Sequence, residues 1–205
     1  AMMSNKRTII WGAGMIDNDL PANIQIREIK AVRGPLTQEA LGKKGFNCPP
    51  CYGDPALLLP LHYKPEGITK QYEIGIIPHY ADFGLLKHFG KLRDIHIIPT
   101  RGYDDWHKFI DEILQCRYIV SSSLHGLIIA EAYKVPCQWI EFGNSKGRDH
   151  FKYYDFYQSI GKEATPLYID RNTTKEDLIA ECVQWKEGFI NLNSLIASCP
   201  FPIKV

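Results

Sequence analysis

The chain has 205 residues, 45% of them hydrophobic and 23% charged, the make-up of a globular protein. Lys plus Arg number 24 and Asp plus Glu 23, a formal charge of +1. These values exclude wholesale disorder, collagen-like and coiled-coil rods, and broad sequence-independent nucleic-acid binding, which needs a basic surface.

In chain order, short β-rich runs alternate with helical patterns, the signature of an α/β fold. Thr8–Trp11 reads as a strand ending at Gly12-Ala13-Gly14, and residues 29–32 as a second short strand. Pro35 suits a helix first turn, so residues 36–41 form a short helix closed by Gly42 or Gly45. Tyr52-Gly53-Asp54-Pro55 is a turn, residues 56–59 an apolar run ended by Pro60, and 61–71 a linker. Strands follow at 72–77, 95–98, 118–120, 137–140 and 167–169. Between them lie helical patterns at 83–89, 104–115, 124–133 and 151–160, and a last one at 174–191. In the 104–115 helix, Trp106, Phe109, Ile110, Ile113 and Leu114 share one face, and Asp104 and Asp105 supply the cap. The 124–133 helix is apolar on nearly every face and is expected to be buried. Residues 72–170 thus predict a doubly wound parallel sheet, Rossmann-like, that binds ligand beyond the carboxyl ends of its strands.

Cys48, Cys51, Cys116, Cys137, Cys182 and Cys199 are scattered. Cys48-Pro49-Pro50-Cys51 is the one C-x-x-C, and it lacks the second pair of a zinc ribbon. Structural thiols, no metal and a reducing, cytoplasmic compartment are expected. No run approaches the ~20 apolar residues of a membrane span.

The strongest candidate site is Ser121-Ser122-Ser123-Leu124-His125-Gly126, where a buried strand leads straight into a helix. A helix start offers unpaired N–H groups and a positive dipole end to a phosphate or carboxylate. His125 lies in that first turn as a proton-transfer group. The plain alternative is that Ser122 or Ser123 caps the helix and His125 is a surface residue. No G-x-S-x-G elbow is present. His79, in Ile77-Pro78-His79-Tyr80, follows another strand end and would open on the same face as His125. Arg33, before Gly34-Pro35, is placed to fork onto an anion, or is a surface arginine. Asp54 is expected to brace backbone. Gly12-Ala13-Gly14 is a weak dinucleotide fingerprint, since position 17 is Asp. Lys152, after the polar loop 143–150, is a further anion ligand, and the aromatics beside it are sugar platforms or core.

Taken together, Val-Arg-Gly-Pro-Leu-Thr (32–37), Tyr-Gly-Asp-Pro-Ala-Leu-Leu-Leu-Pro (52–60), Ile-Gly-Ile-Ile-Pro-His-Tyr (74–80), Ile-Val-Ser-Ser-Ser-Leu-His-Gly-Leu-Ile (119–128) and Phe-Lys-Tyr-Tyr-Asp-Phe-Tyr (151–157) resemble the polysaccharide pyruvyl transferase family. The resemblance runs from about residue 8 to 161. It implies a GT-B-type, two-lobed transferase that moves the enolpyruvyl group of phosphoenolpyruvate onto a saccharide or lipid-linked oligosaccharide acceptor. The product is a pyruvate ketal in a cell-surface polysaccharide or exopolysaccharide. It also implies His125 and His79 as catalytic groups, and donor binding by Arg33, Ser122, Ser123, Leu124, Gly126 and Lys152. No cofactor beyond the donor substrate is called for. A cytoplasmic location, peripheral at the inner membrane face, would suit it, and a homo-oligomer is left open.

The family's first strand and its Asn-x-Gly-Asp turn fall upstream of the segment matching Ile9–Gly14. The N-terminal lobe is therefore expected to be an incomplete remnant over 1–65, followed by a donor-binding lobe over 66–187 and a tail over 188–205. Two rival functions share these features. One is a GT-B glycosyltransferase using a nucleotide-sugar, and the other a non-catalytic remnant acting as a binding module.

Overall fold

Five apolar runs become five parallel strands because a residue buried on both faces of a sheet has no polar alternation to keep. The computed structural model describes residues 4–87, 89, 93–143 and 149–203. Their contacts divide the chain into two units. One comprises Leu59–Gly147 and Thr165–Glu187, the other Ala1–Leu58, Arg148–Ala164 and Gly188–Val205.

The first of these units holds the sheet. Strands β3 (Tyr72–Ile77), β4 (Ile95–Ile97), β5 (Cys116–Ser121), β6 (Cys137–Phe142) and β7 (Leu167–Ile169) are all parallel, in the order β4-β3-β5-β6-β7. The chain steps from β3 outward to β4, then returns past β3 to lay down β5. Strand order therefore reverses between β3 and β5, the place where such sheets open a ligand crevice. Ile77 lies opposite Ser121, so these two strands end side by side. Ile74, Ile76, Ile119, Val120 and Ile140 are fully buried, each contributing roughly 1.5–3 kcal/mol.

Helices flank the sheet. α2 (Leu59–His62) is a single turn, and Pro60 stands inside it, because a first turn needs no N–H at that position. α3 (Trp106–Leu114) packs on β5; its cap is Asp105, whose carboxylate accepts from the His107 amide at 3.0 Å. α4 (Leu124–Ala132) packs on β5 and β6 and is buried from Gly126 to Glu131, as its all-round apolar sequence predicts. α6 (Lys175–Val183) opens on a capping box between Thr174 and Asp177. It ends eight residues before the predicted 191. The 83–89 pattern gives a 3₁₀ turn over Phe83–Lys87 instead of an α-helix.

In the other unit, β1 (Ile9–Ile10) and β2 (Glu28–Ile29) pair in parallel, and single bridges extend the pairing to Ala13–Val32 and Val32–Tyr52. α1 (Pro35–Lys43) packs against α5 (Phe151–Ser159). Gly34 sets that approach: any Cβ there would collide with the backbone carbonyl of Asp155. A further helix, α7 (Leu192–Ala197), lies where sequence reading expects a tail. Its buried Leu195 packs with Ala31 and Leu58, and its carbonyl accepts from Trp11 Nε1 at 2.8 Å.

Candidate functional site

Three serines close the end of β5, and each has a different duty. Ser121 Oγ lies 2.8 Å from the carbonyls of both Ile77 and Ser123 and accepts from the Ser123 amide at 3.0 Å. It staples the ends of β3 and β5 together. Ser122 donates its amide to the Ile77 carbonyl. Its hydroxyl accepts from the His79 amide and donates to Asp82 Oδ2, each at 2.9 Å. Ser122 thus ties the segment after β3 to the segment after β5. Asp82 is 1% exposed, and its own amide closes a turn onto the His79 carbonyl. The Ala81 amide donates to His79 Nδ1 at 3.3 Å. An accepting Nδ1 places the proton of a neutral ring on Nε2.

Ser123 is the N-cap residue of α4 and is extended there, but its side chain makes no capping hydrogen bond. With the Ser122 hydroxyl committed to His79 and Asp82, neither serine side chain covers the first-turn amides. The capping alternative for this motif is thereby set aside. His125 stands exposed in that turn, while Leu124 and Gly126 are buried. Gly126 allows the helix to close on the strand ends: a Cβ would lie 2.5 Å from Ser121 Oγ and 2.8 Å from Ile77 Cγ2. His79 and His125 therefore follow the two strands that flank the switch point, joined through Ser122. An open helix start of this kind can take a carboxylate or phosphate, and an imidazole can move a proton.

Arg33 and Lys152 belong to the other unit. Arg33 is 6% exposed, not a surface arginine. Its Nη2 lies 2.9 Å from Asp155 Oδ2 and donates to the Met15 carbonyl at 2.6 Å. Asp155 also accepts from the Thr37 amide and hydroxyl, at 2.8 and 2.7 Å. Burial pushes the Arg33 guanidinium below its ordinary pKa, against the pull of Asp155 and Asp54. The guanidinium packs on Gly14, where a Cβ would overlap it. That is the structural use of a glycine in the weak Gly12-Ala13-Gly14 fingerprint. Lys152 Nζ lies 5.0 Å from the centroid of the Tyr153 ring. Residues 144–148 of the polar loop before it lie outside the described residues.

Sequence reading assigned no role to Asp82 or Asp155. Asp82 follows His79 by three residues just past a strand end, a spacing that closes a turn, and this was its available signal. Nothing local could announce Asp155, whose partner Thr37 is 118 residues away. Among the described residues, no three His, Cys, Asp or Glu side chains cluster as metal ligands, and no helix is long and apolar enough to cross a membrane.

A five-stranded parallel sheet flanked by helices is compatible with the Rossmann-like class of fold. The sequence comparison then identifies the family. The model for polysaccharide pyruvyl transferases matches residues 1–145, and the chain belongs to that family. It is 34% identical over 185 residues to an uncharacterised protein of Acanthamoeba polyphaga mimivirus, covering 80% of this chain and 58% of that protein. It is 29% identical over 187 residues to the succinoglycan biosynthesis protein ExoV of Rhizobium meliloti, covering 88% of this chain and 56% of that protein. The chain thus spans little more than half the length of these curated relatives. No solved structure matches it.

Proposed function

We propose that this chain carries the donor side of a pyruvyl transfer from phosphoenolpyruvate to sugar hydroxyls in exopolysaccharide synthesis. One observation carries the reading beyond the family. The Ser122 hydroxyl holds the His79 backbone against the end of β5, directly before an α4 start that no side chain caps. The helix start receives the donor's phosphate or carboxylate on the amides at Leu124, His125 and Gly126. In this reading the five-stranded unit is the donor lobe of a GT-B-type enzyme. Arg33, bound to Asp155, shapes the other unit, which also carries Lys152.

The chemistry needs an acid and a base. One imidazolium protonates the methylene carbon of phosphoenolpyruvate, which leaves carbon 2 cationic. A sugar hydroxyl adds to carbon 2 as the other imidazole takes its proton. The carbon–oxygen bond to phosphate then breaks as that proton passes to the leaving phosphate oxygen. A second hydroxyl of the same sugar adds in its place, giving its proton to the imidazole that supplied the first one. The products are a ketal and inorganic phosphate. His125, exposed at the helix start, is assigned to the proton transfer nearest the donor, and His79 to the other. Such a group contributes about 10²–10⁴-fold in rate.

Phosphoenolpyruvate is expected to raise the melting temperature of the chain, and UDP-glucose and GDP-mannose to leave it unchanged. Stabilisation by a sugar nucleotide alone would transfer the assignment to a glycosyltransferase. His125→Ala is expected to lower turnover at least about a hundredfold; turnover near the parent value would remove His125 from the chemistry.

A further inference from the structure

In the five-stranded unit, the loop after β4 and α3, with Leu59 of α2 and Ile129 of α4, line an open cavity of about 440 Å³. That volume lies within the ~300–1,000 Å³ range of small-molecule sites. Its walls are apolar, with Leu59, Trp106, Phe109, Ile110 and Ile129 among them, and Thr100 and Arg101 add polar groups. Nothing assigned so far uses it.

Trp106 is 47% exposed, costly for an indole unless its face has a partner. Its back is braced. Tyr63 meets it edge-on with ring centroids 5.7 Å apart, and the His107 ring lies 4.0 Å away. Tyr63 is fixed in turn: its hydroxyl donates to Asp111 at 2.7 Å, and its carbonyl accepts from the Tyr133 hydroxyl at 2.7 Å. The indole is thus a held platform rather than a loose surface ring. Arg101 makes no ion pair among the described residues. Its guanidinium lies 4.6 Å from the Tyr80 ring centroid, and Tyr80 lies 4.2 Å from the His79 ring. Arg101, in the cavity wall, therefore connects to the candidate proton-transfer histidine through the Tyr80 ring.

We infer that this cavity is a saccharide subsite, and that it holds the pyranose of the acceptor; the word acceptor rests on the pyruvyl-transfer reading. A pyranose has an apolar C–H face and a rim of hydroxyls. The face matches the Trp106 platform, and the hydroxyls match Arg101 and the Thr100 hydroxyl. An alkyl chain would fill the apolar walls but would strip water from Arg101 without replacing its hydrogen bonds.

The test is saturation-transfer NMR on the 205-residue chain with four sugar probes, the methyl α- and β-glucopyranosides and galactopyranosides, and 1-octanol as an apolar control. At least one sugar is expected to receive saturation. Trp106→Ala is expected to weaken that probe about three- to tenfold, the range of one aromatic stacking contact. Arg101→Leu, in an exposed loop, should weaken it too, and Phe201→Ala, at an exposed aromatic elsewhere, should not. The inference is overturned if none of the four binds, if both variants bind as well as the parent, or if only 1-octanol binds in a Trp106-dependent way. A phosphoenolpyruvate melt on the same proteins separates the two readings. Pyranoside binding without a phosphoenolpyruvate shift leaves the subsite standing and removes pyruvyl transfer. A phosphoenolpyruvate shift without pyranoside binding does the reverse.

Discussion

Gly126→Ala tests whether the two strand ends and the start of α4 form one tight joint. In most helices the change is favourable, since Gly costs about 1 kcal/mol against Ala. Here the added methyl would lie 2.5 Å from Ser121 Oγ, 2.8 Å from Ile77 Cγ2 and 3.0 Å from Ile77 Cβ. Ile77 is fully buried at the end of β3 and has nowhere to move. Overpacking of this kind costs about 1–3 kcal/mol. Rotating Ser121 aside would also lose its bonds to Ile77 and Ser123, at about 0.5–1.5 kcal/mol each. Against the helix gain of about 1 kcal/mol, the net is a loss of roughly 1–5 kcal/mol. For a chain of this size that is a fall of about 2–20 °C in melting temperature. Differential scanning calorimetry reads it directly. A variant that melts at or above the parent would show that the helix does not close on Ser121 and Ile77, and the joint described here would be wrong.

Asp155→Ala should destabilise the chain by about 3–5 kcal/mol, because it strands a buried guanidinium and two groups of Thr37; a loss below 1 kcal/mol in urea denaturation would mean that Arg33 does not depend on it. Cys116 and Cys182 are fully buried, and burial raises each thiol to about 12. Both should resist iodoacetamide in the native chain at pH 8, while half-buried Cys51 and Cys199 react first; early modification of Cys116 or Cys182 by mass spectrometry would contradict their placement.

The strands β3, β5 and β6 were legible because each is an apolar run that a parallel sheet buries on both faces. The order β4-β3-β5 was not, since adjacency of Ile77 and Ser121 depends on a chain return that leaves no local mark. α6 was read too long because Phe189 and Ile190 continue its apolar face. Yet Phe189 is 82% exposed, and its amide bonds to Ile160. The same blindness to distance governs the site. The Ser-Ser-Ser-Leu-His-Gly run was visible as a strand end and helix start. That Ser122 would serve His79 and Asp82, and leave the helix uncapped, depends on partners about forty residues away. Arg33 looked free because Asp155 is far along the chain.

The uncapped start of α4 links stability to function. A helix N-terminus with a serine available usually takes the cap, and forgoing it costs about 0.5–2 kcal/mol. Here the Ser121 and Ser122 hydroxyls are committed elsewhere, to the strand joint and to His79, and the Ser123 side chain makes no capping hydrogen bond. In the proposed reading, the amides at Leu124, His125 and Gly126 meet the anion of the donor. An anion that binds this start supplies the hydrogen bonds the serines withhold, and adds about 0.3–1 kcal/mol from the helix dipole. Binding to the folded chain at a hundredfold excess over Kd contributes about 2.7 kcal/mol. That is comparable with what Gly126→Ala is expected to remove. The two perturbations therefore act on the same joint with opposite sign, and an anion that truly docks there must lose affinity when Gly126 gains its methyl.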